Sequence, residues 1–308
     1  MQKLRLVFAG TPSAAVPSLE RLAASPHELV AVVTRPAAPL GRKRVLTPSP
    51  VAAAAERLGL PVIEAARLDQ AATDRIAGLA PDLGVIVAYG GLVREPLLST
   101  PGHGWINLHF SLLPAWRGAA PVPHALIAGG AEAGAYVFRL VPELDAGDVF
   151  ATRSRPVAPG ETAGLALESL AASGADLVAE VVDAIADGTA TATPQAGEPT
   201  FAPKLGIDDA RLDWSAAADA VRNRYRGVTP EPGAWTTVDE QRVKVLDLVD
   251  AADAAPLEPG RLELAGRRLL VGTGTTPLEL RRVQPAGRTA MAAADWWRGA
   301  GRDGAVAR

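Results

Sequence analysis

Three short, almost unbroken apolar runs constrain this 308-residue chain most: residues 4–9 (L-R-L-V-F-A), 29–34 (L-V-A-V-V-T) and 83–88 (L-G-V-I-V-A). A strand that is apolar at nearly every position has no wet face and must be covered on both sides. A turn at Gly10-Thr11-Pro12 and a helix over 18–24 separate the first run from the second. Helices over 51–58 and 71–79, with a short strand over 61–64 between them, precede the third. Such alternation predicts βαβ units, a parallel sheet with right-handed crossovers, and helices on both faces. The first turn lacks the G-x-G-x-x-G spacing of a dinucleotide site.

The most unusual stretch follows, residues 105–122: W-I-N-L-H-F-S-L-L-P-A-W-R-G-A-A-P-V. It opens as an apolar strand on which Asn107 and His109, two residues apart, share a face. Phe110 and Ser111 leave the strand. Pro114, Arg117 and Gly118 make a turn-rich loop, and Pro121 suits the first turn of a helix over 119–129. Strands over 135–141 and 150–157 and a long helix over 162–187 complete the sheet domain. Between those last two strands lies P-E-L-D-A-G-D, residues 142–148, with Asp145 before a glycine turn. A histidine with a carboxylate nearby is a common acid–base arrangement, because the carboxylate orients the ring and stabilises its charged form. On its own, an N-x-H strand fits a buried hydrogen-bonded pair as readily as a catalytic one.

Residues 35–50 hold prolines at 36, 39, 48 and 50, which argue against regular structure. Their tip, Gly41-Arg42-Lys43-Arg44, concentrates positive charge; by itself it reads as a solvated loop. Residues 189–206 are rich in Thr, Pro and Gly and read as a linker. Beyond them the pattern changes to a helix over 215–226 and five short strands over 234–238, 241–248, 261–264, 267–272 and 278–283. Asp239-Glu240 and Ala265-Gly266 are hairpin candidates. Five short strands predict a small open β-barrel.

Composition narrows the class. A net charge of −3 argues against nucleic acid as a partner except through a local patch. Residues 207–308 balance 15 basic against 15 acidic side chains; Arg222, Arg224 and Arg226, and Arg281 and Arg282, fit a local stripe and surface salt bridges equally well. The chain has no cysteine, which removes disulfides, thiolate zinc sites and a cysteine nucleophile. The start has no signal-peptide run, and no stretch approaches the ~20 apolar residues that span a bilayer. A cytoplasmic monomer with no membrane association and no metal is expected. His27, His103 and His124 fall in no motif and read as structural.

The full string N-L-H-F-S-L-L-P-A-W-R-G-A-A-P, with L-D-A-G-D downstream, resembles the folate-dependent formyltransferases. So do G-T-P at the first turn, A-Y-G at residues 88–90, F-A-P-K-L at 201–205 and the ending from Val283. The resemblance covers nearly the whole chain. It implies a Rossmann-like catalytic domain over 1–188, a linker over 189–206 and an OB-like, tRNA-binding domain over 207–308. It implies transfer of the formyl group of 10-formyltetrahydrofolate to the α-amine of methionine on charged initiator tRNA. A related reaction on a small molecule, or hydrolysis of the formylfolate, is the alternative.

Carried over by position, Asn107 and His109 face the formyl oxygen and Asp145 holds the imidazole; whether His109 is base or oxyanion donor stays open. Ser111, Leu112, Leu113 and Pro114 line the folate site. Tyr89 belongs to the strand end that forms the pterin pocket, largely through backbone groups. Arg42, Lys43 and Arg44 belong to a loop that enters the acceptor end of tRNA. Here Lys43 replaces a usual glycine and Val45 a frequent basic residue, which leaves Arg42 the best matched.

Overall fold

The computed structural model describes residues 2–41, 43–300 and 305–308. The chain divides into two compact units. One holds residues 1–119, 133–155 and 167–202; the other holds 120–132, 156–166 and 203–308.

The elements of the first part are β1 (Arg5–Gly10), α1 (Val16–Ala23), β2 (Glu28–Thr34), β3 (Ala38–Leu40), β4 (Val45–Thr47), α2 (Pro50–Arg57), β5 (Val62–Glu64) and α3 (Gln70–Ala77). They continue with β6 (Leu83–Val87), β7 (Trp105–His109), α4 (Pro121–Ile127), β8 (Glu132–Arg139), β9 (Val149–Pro156) and α5 (Ala163–Ala186). The main sheet has the order β5-β2-β1-β6-β7-β8-β9. Its strands β5, β2, β1, β6 and β7 are parallel, and β8 runs antiparallel to β7. The chain steps outward from β1 to β2 and β5, then returns to β6 on the other side. That reversal falls between β1 and β6, next to β7, and open α/β sheets bind ligands in the crevice at the carboxyl ends of the strands flanking such a point.

Both faces are covered, as the unbroken apolar runs require. On one, Val7 and Ala9 pack with Ile76 of α3, Leu97, Tyr89 and Trp105. On the other, Leu108 meets α5 at Gly174, where a Cβ would stand 2.9 Å from Leu108 Cδ2. Ser49 starts α2 by accepting a 2.9 Å hydrogen bond from the Ala52 amide, with Pro50 in the first turn. Asp69 caps α3 in the same way, at 3.0 Å. Each cap satisfies one amide that the helix itself leaves free.

The proline-rich stretch after β2 departs from its reading as irregular. It contains a β3–β4 hairpin in which Pro39 pairs with Leu46. Both strands of a two-stranded ribbon are edges, and an edge tolerates the amide that proline lacks.

The second unit adds α6 (Ala218–Gly227), β10 (Trp235–Val238), β11 (Gln241–Asp250), β12 (Leu262–Ala265), β13 (Arg268–Val271), β14 (Leu278–Pro285), β15 (Met291–Ala292) and α7 (Ala293–Ala300). Its antiparallel sheet runs β10-β11-β14-β13-β12, with β15 on β14. Register shifts between Val245 and Leu248 bend β11. Val306 and Ala307 then bridge Arg261 and Val238. Thr237 and Arg308 exchange two 2.8 Å backbone hydrogen bonds, and the Ala307 amide donates to Gly260 O at 2.8 Å. This last segment ties β10 to the chain entering β12 and closes the sheet into a small barrel around Trp214, Leu269, Val271, Val283, Trp296 and Trp297.

The Asp239-Glu240 hairpin forms as expected, with both residues at positive φ (47° and 63°) and Val238 paired to Gln241. The other turn sits one residue later than expected: Ala265 pairs with Arg268, so Gly266 and Arg267 make it. Strand β15 and helix α7 lie in a stretch for which the sequence reading assigned no element.

Candidate active site

Strand β7 carries Asn107 and His109 outward to the crevice. Asn107 is half-buried, and among the described residues its amide makes no hydrogen bond. His109 is buried at the strand's end. Phe138 of β8 meets the imidazole edge-on, with ring centroids 6.4 Å apart.

Three contacts define the imidazole. Its Nε2 lies 3.0 Å from Trp116 O. A carbonyl only accepts, so that nitrogen carries the proton. Its Nδ1 lies 3.8 Å from Asp145 Oδ2. Burial holds the His109 pKa below the ordinary 6.5, outweighing the negative charge of Asp145 and the Trp116 contact, which both raise it. The resting ring is therefore neutral at pH 7, with Nδ1 an open acceptor facing the carboxylate.

Asp145 reaches this position through a strained turn. Its φ is +47°, which costs a non-glycine residue on the order of 1 kcal/mol or more. Gly147 follows because nothing larger fits: a Cβ there would stand 1.8 Å from Arg139 O. The carboxylate is held by the Gly118 amide, which donates to Oδ2 at 2.8 Å. Gly118 has φ +123°, and a Cβ on it would approach Ala202 O to 2.8 Å. Glycine is thus required both for the backbone angle and for the close approach.

The loop that carries Trp116 and Gly118 is itself pinned. The Arg117 amide donates to Thr200 O at 2.8 Å, and the Ala202 amide donates to Arg117 O at 2.8 Å. The Trp116 amide donates to Thr200 Oγ1 at 2.9 Å. Gln195 donates to Asp145 O at 2.8 Å and Gly147 O at 3.0 Å, and accepts from Arg117 Nη2 at 2.7 Å. The sequence reading missed these supports. They act through backbone groups and a lone glutamine in a polar stretch, features that no residue pattern marks.

The other candidates fall in different places. The Ser111 hydroxyl is buried and has no hydrogen-bond partner among the described residues. Leu113 packs with Phe138 and Val149, and Leu112 leans over Gly134, whose Cβ would stand 2.2 Å from it. Pro114 O accepts from the Thr200 amide at 3.3 Å. The Tyr89 side chain is committed to the core, its hydroxyl donating to Ala65 O at 2.7 Å, and its carbonyl accepts from Thr11 Oγ1 at 3.0 Å. Lys43 and Arg44 are exposed at the β3–β4 turn, and Arg42 lies outside the described residues. His27 is structural: its Nδ1 accepts from the Leu4 amide at 3.2 Å and its Nε2 lies 3.0 Å from Asp183.

Of the arginines singled out in the second unit, Arg222, Arg224 and Arg226 are engaged, and Arg281 lies 3.6 Å from Glu279. Arg222 donates to Asp250 at 2.8 Å and Asp219 at 2.7 Å, Arg224 to Asp209 O at 2.7 Å, and Arg226 to Glu161 O at 2.8 Å. A different set stands around Trp235. Arg242 lies 4.3 Å and Arg211 5.7 Å from its ring centroid, and Lys244 is its cross-strand neighbour. Among the described residues, none of these three cations has an ion pair.

The sheet, the β7 constellation and the barrel match known families in the same order. Residues 3–182 match the formyl transferase model and residues 204–301 the formyl transferase C-terminal domain. The chain belongs to the formyl transferase family. It is 62% identical, over 99% of its length and 100% of the relative's, to a methionyl-tRNA formyltransferase of Clavibacter sepedonicus. It is 64% identical to one of Leifsonia xyli over 97% of this chain and 98% of that one. An N-formyltransferase from Helicobacter canadensis, solved with folinic acid and dTDP-3-aminofucose, superposes with TM-score 0.69 at 15% identity, covering 90% of this chain and 98% of that chain. HypX from Aquifex aeolicus gives TM-score 0.67 at 18% identity over 96% of this chain, which spans 47% of that longer protein.

Proposed function

We propose that this enzyme transfers the formyl group of 10-formyltetrahydrofolate to the α-amine of methionyl-initiator tRNA, making formylmethionyl-tRNA for translation initiation. The observation that carries the acceptor is identity above 60% along the full length, barrel included, to relatives of that name. Structural neighbours solved with tetrahydrofolic acid or folinic acid support a folate donor.

The amine nitrogen adds to the formyl carbon and negative charge collects on the formyl oxygen. Expulsion of N10, which takes up a proton, leaves the N-formyl product. Asn107 has a free amide at the strand end and serves as a donor to the oxyanion, a role typically worth ~10²–10³ in rate. His109 is neutral at rest and so is suited to accept the amine proton. The positive charge it gains is stabilised by Asp145 at 3.8 Å. Ser111, Leu112, Leu113, Pro114 and the Tyr89 backbone line the folate side.

The first unit performs the transfer. The barrel holds tRNA through the unpaired cations around Trp235, with Arg42, Lys43 and Arg44 meeting the acceptor end. The test is formyl transfer with 10-formyltetrahydrofolate and three acceptors: methionyl-initiator tRNA, a dTDP-amino sugar and water. Product on the charged tRNA alone is expected. Formylated sugar, or formate without formyl-methionyl product, overturns the assignment.

A further inference from the structure

We infer that Gln195 is a positioning residue for the reaction: its side-chain amide sets the Asp145 carboxylate against His109 by bonding the Asp145 turn and Arg117 at once. The inference rests on the proposed roles of His109 and Asp145.

The geometry is specific. Gln195 lies about 50 residues beyond Asp145 in the chain, yet both its amide hydrogens are spent on this one turn, on Asp145 O at 2.8 Å and Gly147 O at 3.0 Å. Its oxygen takes the Arg117 guanidinium at 2.7 Å. Arg117 stands between Trp116, whose carbonyl holds the imidazole, and Gly118, whose amide holds the carboxylate. Gln195 therefore fastens the two loops that carry opposite sides of the pair. Asp145 is left-handed at φ +47°, a conformation that persists only where its surroundings fix it. The carboxylate end is fixed by Gly118, and the backbone end by Gln195. Without the glutamine the turn is free to rotate about the Gly118 contact, and the Asp145–His109 separation is no longer set.

An amide is the side chain this place calls for. The two turn carbonyls need donors and the guanidinium needs an acceptor, and only a carboxamide offers both from one planar group. Glutamate satisfies Arg117 but sets a carboxylate against two carbonyl oxygens. Methionine keeps the length and bulk and removes every hydrogen bond.

The test uses the full-length protein and the variants Gln195→Met and Gln195→Glu. Its first readout is the titration of His109 followed by NMR at the imidazole carbons, which needs no substrate and so stands even if the acceptor proves to be another amine. Asp145 is the charged group acting on the ring, and its effect is upward. Gln195→Met is expected to move the His109 midpoint to lower pH; Gln195→Glu adds a carboxylate that by itself pushes the midpoint up, so that variant is read by kcat. Formyl transfer is expected to fall about 10²-fold in kcat, as for a group misplaced by an ångström, with little change in the KM for tRNA. A His109 midpoint and kcat unchanged in the folded variants overturn the inference. So does a loss of activity in which the midpoint stays put while the melting temperature collapses, which would make Gln195 a stability residue only. Should Gln195→Met not fold, Gln195→Glu, which retains the Arg117 contact, decides by kcat at an unchanged melting temperature: a fall of about 10²-fold supports the inference and near-normal turnover overturns it.

Discussion

His109 Nδ1 and Asp145 Oδ2 stand 3.8 Å apart, near enough for charge to act and too far for a hydrogen bond. The carboxylate spends its bond on the Gly118 amide and the imidazole spends its proton on Trp116 O. Asp145→Asn is therefore expected to keep the fold and lower kcat on the order of 10²-fold, as loss of one charge-stabilising group does. Because Asp145 raises the His109 pKa, the acid limb of kcat should move to lower pH in the variant. An acid limb moving upward, or near-normal turnover, would remove Asp145 from the mechanism.

The same burial makes His109 a pH-dependent term in stability. Its folded pKa lies below the unfolded value of about 6.5, so the unfolded chain binds the proton more tightly. The contribution is complete above that value and is lost as pH falls through the lowered folded one. Urea denaturation from pH 8 to pH 5 should show the wild type losing stability relative to His109→Gln only below about 6.5. A difference independent of pH would mean that the ring is not held neutral.

Gly118→Ala tests the loop from the backbone side. A methyl group would meet Ala202 O at 2.8 Å, at a φ of +123° that alanine avoids. The expected cost is about 1–3 kcal/mol, with activity falling further than stability because the amide that holds Asp145 shifts. Gly102→Ala is the control: a Cβ there has nothing within 4 Å, and stability should change by less than about 0.5 kcal/mol. Equal melting temperatures for the two variants would show that the Gly118 geometry is not demanding.

What the sequence disclosed followed from how locally each feature is encoded. The unbroken apolar run at residues 83–88 announced a doubly covered strand, and N-x-H on the next strand announced two side chains on one face. Asp239-Glu240 took the positive φ angles of a tight hairpin. The features that escaped depend on distant chain. Pro39 reads as a breaker until its strand is known to be an edge. Gln195 reads as filler in a polar stretch until the fold lays it against Asp145. Arg222, Arg224 and Arg226 fit a basic stripe and surface salt bridges equally well in sequence; the Asp250 and Asp219 carboxylates take Arg222, and the backbone carbonyls of Asp209 and Glu161 take Arg224 and Arg226. Charge spacing along a chain gives no sign of which acceptors, carboxylate or carbonyl, will arrive.

That last distinction gives a test for the barrel. Arg242 stacks on Trp235 at 4.3 Å with Lys244 beside it, and neither has an ion pair among the described residues. A cation already paired within the protein leaves an arriving phosphate un-neutralised, so the RNA keeps its condensed counterion. An unpaired one neutralises the phosphate and frees that counterion, and each such contact contributes roughly 0.7–0.9 to the slope of log affinity against log salt. Arg242→Ala and Lys244→Ala should each weaken binding of initiator tRNA and flatten that slope by roughly one contact. Arg222→Ala, which removes a guanidinium bound to Asp250 and Asp219, should leave the slope as it was. Filter binding across a salt series separates the cases. If the Arg222 variant flattens the slope and the Arg242 and Lys244 variants do not, the tRNA face lies on α6 and not around Trp235.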